Sequence, residues 1–121
     1  MILDSCILID LSRENPQALA FLEGLSTIPS ISVVTATEIL CGVKNAREER
    51  LFEQLFQAWK VVDVNLRIAR LAARYLKDFR ASHGLDMIDA FIAATAMSHE
   101  CDLVTLNLKH FPMFEGIARP Y

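Results

Sequence analysis

The chain is poor in the residues that mark linkers and loop-rich folds. It has only four glycines and four prolines in 121 residues, and no internal repeat or low-complexity tract interrupts it. A chain of this length is one domain of ordinary size, and a hydrophobic content of 53% excludes intrinsic disorder. We therefore predict a single globular domain that spans residues 1–121.

Cysteine is also scarce, and its spacing excludes a crosslinked or zinc-bound fold. Cys6, Cys41 and Cys101 are odd in number, lie far apart and form no C-x-x-C motif. This pattern predicts buried thiols in a reducing compartment.

Neither bulk positive charge nor a long apolar run is present. The net charge of −3 means that any nucleic-acid binding must come from a local patch or from metal ions. The first residues, MILDSCILID, contain an acid and no basic leader, which is unlike a signal peptide. The apolar runs are too short to span a bilayer. We expect a soluble cytoplasmic protein with no membrane partner.

Short apolar segments alternate with helical patterns along the chain. Four strands are predicted, with a short fifth one in the tail, at residues 1–3, 29–35, 59–64 and 102–106. Between them, helices are predicted at 5–13, 16–25, 35–42, 46–58 and 65–83, and another after Gly84. This alternation predicts an α/β fold with three α/β/α layers and a mostly parallel central sheet of four to five strands.

Four acids fall where predicted strands give way to helices, or at a helix start, namely Asp4, Glu38, Asp86 and Asp89. The end of the fourth strand adds Thr105 and Asn107. In parallel sheets the working site lies outside the carboxyl ends of the strands. All six residues are therefore candidates for one site.

Two interpretations of the acids remain open. Each acid could cap a helix: Thr35 with Glu38 matches a capping box, Asp86 matches an N-cap with Asp89 three residues later, and Asp4 precedes a helix. Alternatively, the carboxylates converge on a cation, because neighbouring carboxylates repel one another unless a cation holds them. Oxygen ligands completed by water and phosphate are typical of Mg²⁺ or Mn²⁺. Helix starts nearby would favour an anionic substrate such as a phosphodiester.

Three segments carry a family resemblance in the same order and spacing. ILDSCILIDL resembles the first motif of PIN-domain nucleases, and ISVVTATEILCG resembles their second. DAFIAATAMSHECDLVTLNLKHF resembles their third and fourth motifs together. The size of the chain and its ending, NLKHFPMFEGIARPY, are most similar to the VapC toxins of toxin–antitoxin pairs.

The resemblance implies a PIN fold and an endoribonuclease that depends on Mg²⁺ or Mn²⁺. It implies a type II toxin that is restrained by a VapB-type antitoxin and forms homodimers, which could assemble into a larger toxin–antitoxin complex. Its acidic triad maps onto Asp4, Glu38 and Asp89. We expect Asp4 and Asp89 to bind the metal directly and Glu38 to bind it directly or through water. Asp86 is a further candidate ligand, while Ser5, Thr105 and Asn107 would support the ligands by hydrogen bonds.

The fourth motif departs from the family pattern. Many members have another acid there, either at the position of Asn107 or three residues later, at the position of His110. Because neither residue supplies a negative charge, the number of metal ions stays open between one and two.

Two alternative functions are consistent with parts of the sequence. A PIN-like module that has lost catalysis would only bind a partner. A response-regulator receiver domain would use Asp63 as its phosphorylated residue, with Thr105 and Lys109 in the late positions, and would leave Glu38 and Asp89 without a role.

Three further features have structural explanations. The cationic stripe of the long helix favours a solvent-exposed face over a track for RNA phosphates; it consists of Arg67, Arg70, Arg74 and Lys77. The apolar side of the fourth helix favours core packing over a dimer surface or antitoxin groove; it consists of Leu51, Phe52, Leu55, Phe56 and Trp59. The histidines, His83, His99 and His110, are predicted at surface or capping positions.

Overall fold

A four-stranded parallel sheet forms the centre of the fold in the computed structural model, which describes all 121 residues. Its strands are β1 (Ile2–Leu3), β2 (Ser30–Ser32), β3 (Lys60–Val62) and β4 (Leu103–Val104), in the order β3-β2-β1-β4. Every pairing is parallel. Of the four to five strands predicted, four are present, and the tail after β4 forms a turn of 3-10 helix at Leu108–His110.

Six helices surround the sheet: α1 (Ser5–Ser12), α2 (Pro16–Glu23), α3 (Val33–Cys41), α4 (Ala46–Ala58), α5 (Leu66–His83) and α6 (Met87–Ser98). The side chain of Asn15 caps α2 by accepting the N–H groups of Gln17 and Ala18, and that of Asn65 caps α5 by accepting the N–H of Ile68. Gly84 ends α5 in the left-handed region at φ 64°, where an L side chain would be strained. None of these helices is both long and apolar enough to cross a membrane.

The beginning of α3 differs from the prediction. Val33 and Val34, predicted to continue the second strand, belong to the helix, because the hydroxyl of Ser32 caps it by accepting the Val34 N–H at 3.2 Å. The capping box of Thr35 and Glu38 therefore does not form. Thr35 is fully buried, and its hydroxyl has no hydrogen-bond partner, while Glu38 is exposed.

Strand residues alternate between two apolar layers, as a pleated sheet requires. Ile2 and Leu103 point to the layer that contains α5 and α6, whereas Leu3 and Ile31 point to the layer that contains α1, α3 and α4. Helices thus cover both faces of the sheet. The predicted three-layer α/β/α architecture is confirmed.

Side-chain burial decides two other predictions. On α4, Phe52 is buried and Leu55, Phe56 and Trp59 pack partly buried against the same core, which confirms the core interpretation. All three cysteines are free thiols; Cys6 and Cys101 are half-buried, and the prediction of a buried thiol is wrong for Cys41. It ends α3 on the solvent side of the helix and is exposed.

Candidate active site

The candidate site begins where the chain connections of the sheet diverge. β1 lies between β2 and β4, so the helices that follow β1 and the turn that follows β4 leave from neighbouring strand ends. Open α/β sheets bind their ligands at such a switch point. Asp4 directly follows β1 and Thr105 directly follows β4, and the Thr105 hydroxyl donates a hydrogen bond of 2.7 Å to Oδ2 of Asp4.

Asp4 is buried, with 2% of its surface exposed, and both of its carboxylate oxygens accept hydrogen bonds. Its Oδ1 accepts the backbone N–H of Ser5 at 2.8 Å and the Ser5 hydroxyl at 3.3 Å. Its Oδ2 accepts the Thr105 hydroxyl and, at 3.4 Å, the thiol of Cys6. Burial of a carboxylate is costly unless donors replace water, and four donors do so here. The structure therefore agrees both with a capping role for Asp4 and with the predicted supporting positions of Ser5 and Thr105.

Cys6 belongs to this site, although the sequence pattern did not single it out. Its Sγ accepts the backbone N–H of Leu106 at 3.3 Å and lies 3.7 Å from the Thr105 hydroxyl. Burial, followed by the charge of Asp4, raises the pKa of the Cys6 thiol to about 12. The thiol therefore stays protonated at neutral pH and links the ends of β1 and β4 as a donor to Asp4.

Asn107 contributes through its backbone. Its N–H donates to the Thr105 hydroxyl at 3.0 Å, which orients that hydroxyl towards Asp4. The Asn107 side chain is exposed and caps no group in the turn that follows. The supporting role of the Asn107 amide towards a ligand stays a prediction.

Asp86 and Asp89 have different surroundings at the beginning of α6. Asp86 is the N-cap, since its Oδ1 accepts the Asp89 N–H at 2.8 Å, as one of the two interpretations predicted. The Asp89 carboxylate instead lies with its Oδ2 3.2 Å from Nδ1 of His110. The prediction of a surface or capping role holds for His83 and His99, which end α5 and α6, and is wrong for His110.

Asp89 is half-buried and has fewer partners for its carboxylate than the buried Asp4. Its side chain is 15% exposed and stands on a helix whose other buried residues are alanines, Ile92 and Thr95. Burial and, in decreasing order of importance, the negative charges of Asp86, Asp4 and Glu38 together raise the pKa of Asp89 to about 7. The three acids of the predicted triad therefore lie within electrostatic reach of one another.

Glu38 forms the open side of the site. It lies on the exposed side of α3 and makes no hydrogen bond. A cavity of about 250 Å³ opens beside it, and the cations Arg13 and Lys44 contribute to its wall together with the ring of Phe52. Glu38 is consequently the acid with the freest access to water and to a ligand.

The donors suit a hard divalent cation that keeps part of its water. No three histidine, cysteine, aspartate or glutamate side chains stand in an arrangement that would enclose a metal ion. Mg²⁺, however, is usually bound through one or two carboxylates and retains several waters. Asp4 and Asp89 supply two such carboxylates. Hydrogen bonds fix the oxygens of Asp4, and a cation would relieve the repulsion between the half-buried Asp89 carboxylate and its acidic neighbours.

The sheet order disfavours a receiver-like site. Asp63 directly follows β3, but β2 separates β3 from β1, so Asp63 lies two strands, or about 10 Å, from Asp4. A phosphorylated aspartate would have to share a pocket with the acid that ends β1. Asp63 is exposed and makes no contact with the other acids.

The cationic stripe of α5 faces solvent, as predicted. Arg67, Arg70 and Arg74 are exposed and border a shallow depression together with Met97 and Ser98. Met97 and Ser98 end α6, whereas Asp89 lies in its first turn, so about 12 Å of helix separates the depression from Asp89. The use of this stripe as an RNA track stays a prediction.

A family model described as "PIN domain" matches residues 1–113. The chain belongs to the PIN-domain family. Ribonuclease VapC19 of Mycobacterium tuberculosis is 36% identical over 126 aligned positions, which cover 99% of this chain and 98% of that protein. Ribonuclease VapC10 of the same organism is 38% identical over 93 positions, which cover 76% of this chain and 69% of that protein.

Solved structures agree with this assignment. A toxin–antitoxin complex from Klebsiella pneumoniae superposes with a TM-score of 0.82 at 29% identity, covering 99% of this chain and 97% of that chain. DNA-bound VapBC from Salmonella typhimurium shares the fold with a TM-score of 0.75 at 23% identity, covering 98% and 94% of the two chains. The predicted resemblance of this PIN domain to VapC proteins is confirmed.

Proposed function

We propose that this PIN domain is an endoribonuclease that requires Mg²⁺ or Mn²⁺ and acts as the toxin of a type II toxin–antitoxin pair. The observation that carries the proposal is the half-buried Asp89 carboxylate at the switch point of the sheet. Its negative charge is repelled by the negative charges of Asp4 and Glu38. The relatives named as ribonucleases support RNA as the substrate, because they align with nearly the whole chain.

Asp4 and Asp89 would bind the metal ion directly, and Glu38 would bind it directly or through water. Asp86 is already occupied as the cap of α6, so we assign it to electrostatic support. A bound divalent cation lowers the pKa of a coordinated water and polarises the scissile phosphate.

The residues of the chain have separable tasks in this reaction. Ser5, Cys6 and Thr105 fix both oxygens of Asp4, so this carboxylate keeps its orientation before and after ligand binding. Glu38, exposed beside the cavity, would orient the attacking water and accept its proton. In-line attack of water on phosphorus would break the bond to the 3′-oxygen, which takes a proton from solvent. The upstream fragment would then end in a 3′-hydroxyl, and the downstream fragment would keep the phosphate on its 5′ end.

The resemblance to toxin–antitoxin complexes also supports a protein partner. We propose that a VapB-type antitoxin binds this chain in the cytoplasm and restrains the nuclease. The proposed assembly contains a homodimer of this chain, and antitoxin binding would join such dimers into a larger complex.

RNA cleavage by matched variants tests the nuclease. The purified chain is incubated with labelled total RNA in Mg²⁺, Mn²⁺ or EDTA, and Asp4→Asn and Asp89→Asn are compared with Asp102→Asn. Asp102 is an exposed acid directly before β4, at the opposite end of the sheet, so its amide should leave activity unchanged. We expect both site variants to lose cleavage by at least about 100-fold while far-ultraviolet circular dichroism stays unchanged.

The outcomes separate the alternatives. Full cleavage by both site variants would refute the assignment of the acids, and cleavage that persists in EDTA would refute the metal requirement. If the wild type binds an antitoxin but cleaves no RNA with either metal, the chain is the partner-binding module instead.

A further inference from the structure

His110 reaches the candidate metal site from the turn that follows β4. Its Nδ1 lies 3.2 Å from Oδ2 of Asp89, and its side chain is 34% exposed. His110 is the only cationic or nitrogen-donor side chain that contacts one of the three acids of the triad. The mechanism proposed above leaves this contact without a task.

The backbone around His110 is fixed, so the contact does not depend on a loose loop. The His110 N–H donates to the carbonyl of Asn107 at 3.0 Å, and the Asn107 N–H donates to Thr105, which binds Asp4. On the other side, Phe111 is 0% exposed and packs in the core with α5 and α6. The imidazole is thus carried by a turn that is anchored in the site at one end and in the core at the other.

The spacing of the two side chains suits joint binding of one cation. Two neighbouring ligands of an octahedral ion with bonds of 2.0–2.1 Å lie about 3 Å apart. Oδ2 of Asp89 and Nδ1 of His110 are 3.2 Å apart, which is close to that spacing. A neutral imidazole also adds a donor without adding a fourth negative charge to the cluster.

We propose that His110 is a nitrogen ligand of the metal site and that it makes the site prefer Mn²⁺ to Mg²⁺. This proposal rests on the metal-dependent nuclease described above. Mn²⁺ and Mg²⁺ both accept oxygen ligands, but Mn²⁺ belongs to the first-row series whose members also bind nitrogen donors, whereas Mg²⁺ is bound through oxygen. A site with Asp4, Glu38 and Asp89 as its only other protein donors has mainly hard oxygen ligands, so the identity of residue 110 decides the preference.

Metal binding, measured apart from catalysis, tests the proposal. Isothermal titration with Mn²⁺ and with Mg²⁺ compares the wild type with His110→Asn, His110→Asp and Asp89→Asn. His99→Asn is the matched control, because His99 is exposed at the other end of α6. We expect His110→Asn to weaken Mn²⁺ binding at least about tenfold, since even the loss of a residue that only supports a ligand typically has that effect. His110→Asp should strengthen Mg²⁺ binding and remove the preference for Mn²⁺.

Pulsed electron paramagnetic resonance of bound Mn²⁺ provides a direct signature. A histidine ligand gives a ¹⁴N coupling, which should change when histidine is labelled with ¹⁵N, disappear in His110→Asn and persist in His99→Asn. If Asp89→Asn abolishes Mn²⁺ binding but the wild type shows no histidine coupling, the proposal for His110 is wrong and the nuclease assignment stands. If the wild type binds neither ion, the proposed metal-dependent function fails as well.

Discussion

Replacing Asp89 by asparagine should stabilise the metal-free protein at neutral and alkaline pH. The folded state holds this carboxylate against burial and against the charges of Asp86, Asp4 and Glu38, and together these raise the pKa of Asp89 from 3.8 to about 7. Asparagine keeps the shape of the side chain and can still accept a hydrogen bond from His110, but it cannot ionise. The substitution therefore removes an unfavourable charge with little change in packing.

The size of the effect follows from the separation of the two pKa values. One pH unit corresponds to about 1.4 kcal/mol, so ionisation of Asp89 lowers the free energy of unfolding by up to about 4 kcal/mol at pH 8. We expect about half of this gain, because Asp86 and Glu38 are exposed and water screens their charges. The folded state holds the Asp89 proton up to a higher pH than the unfolded state does. The free energy of unfolding of the wild type therefore falls as pH rises from about 4 to about 7 and stays constant above about pH 7 as far as Asp89 is concerned.

Urea unfolding of both proteins at pH 4, 6 and 8 in EDTA measures the difference. The two should be similar at pH 4 and differ by about 2 kcal/mol at pH 8, and saturating Mn²⁺ should stabilise the wild type more than the variant. Asp102→Asn is the matched control, because Asp102 is exposed at the opposite end of the sheet and its charge is not among those that raise the pKa of Asp89. Equal stability of wild type and Asp89→Asn at all three pH values would contradict the electrostatic account of the site.

Two further predictions concern the anchoring of Asp4. Thr105→Val should lower the free energy of unfolding by about 1–3 kcal/mol, because it removes the 2.7 Å hydrogen bond to a buried carboxylate, and should weaken Mn²⁺ binding about tenfold or more. Thr37→Val, on the exposed side of α3, is its control in the same titrations, and equal losses in both variants would count against the anchoring role. In the native protein at pH 8, iodoacetamide should modify the exposed Cys41 much faster than Cys6, whose thiol has a pKa of about 12. Peptide mass spectrometry measures both rates, and comparable labelling of Cys6 would show that its thiol is more accessible or more acidic than the structure indicates.

The parts of the site that follow from strand order were predictable from sequence. In a parallel sheet, the residues after β1, β2 and β4 leave from one edge, so placing the strands also places Asp4, the start of α3 and Thr105. The motif spacing further identified Asp89 on α6. The placement of Asp4 and Thr105 needed only hydrophobic pattern and chain direction, whereas Asp89 was assigned to the triad through the resemblance to the third PIN motif.

The parts that depend on competition between contacts were not predictable in this way. Val33 and Val34 have strand propensity, but the hydroxyl of Ser32 starts a helix there, so the capping box of Thr35 does not form. His110 looked like a surface residue because its partner Asp89 lies 21 positions earlier and the turn after β4 had been predicted as a possible strand. Such contacts follow from the tertiary arrangement, which a single sequence pattern does not contain.

The two principal carboxylates of the site therefore respond differently to a cation. Asp4 has four donors from Ser5, Cys6 and Thr105, so its position is determined by the fold and should change little on metal binding. Asp89 has a single partner, His110, and its ionised form is unfavourable in the folded chain. A cation relieves that unfavourable charge, so part of its binding free energy comes from Asp89. Conversely, the free energy of unfolding should depend on metal concentration mainly through Asp89 and the helix α6 that carries it.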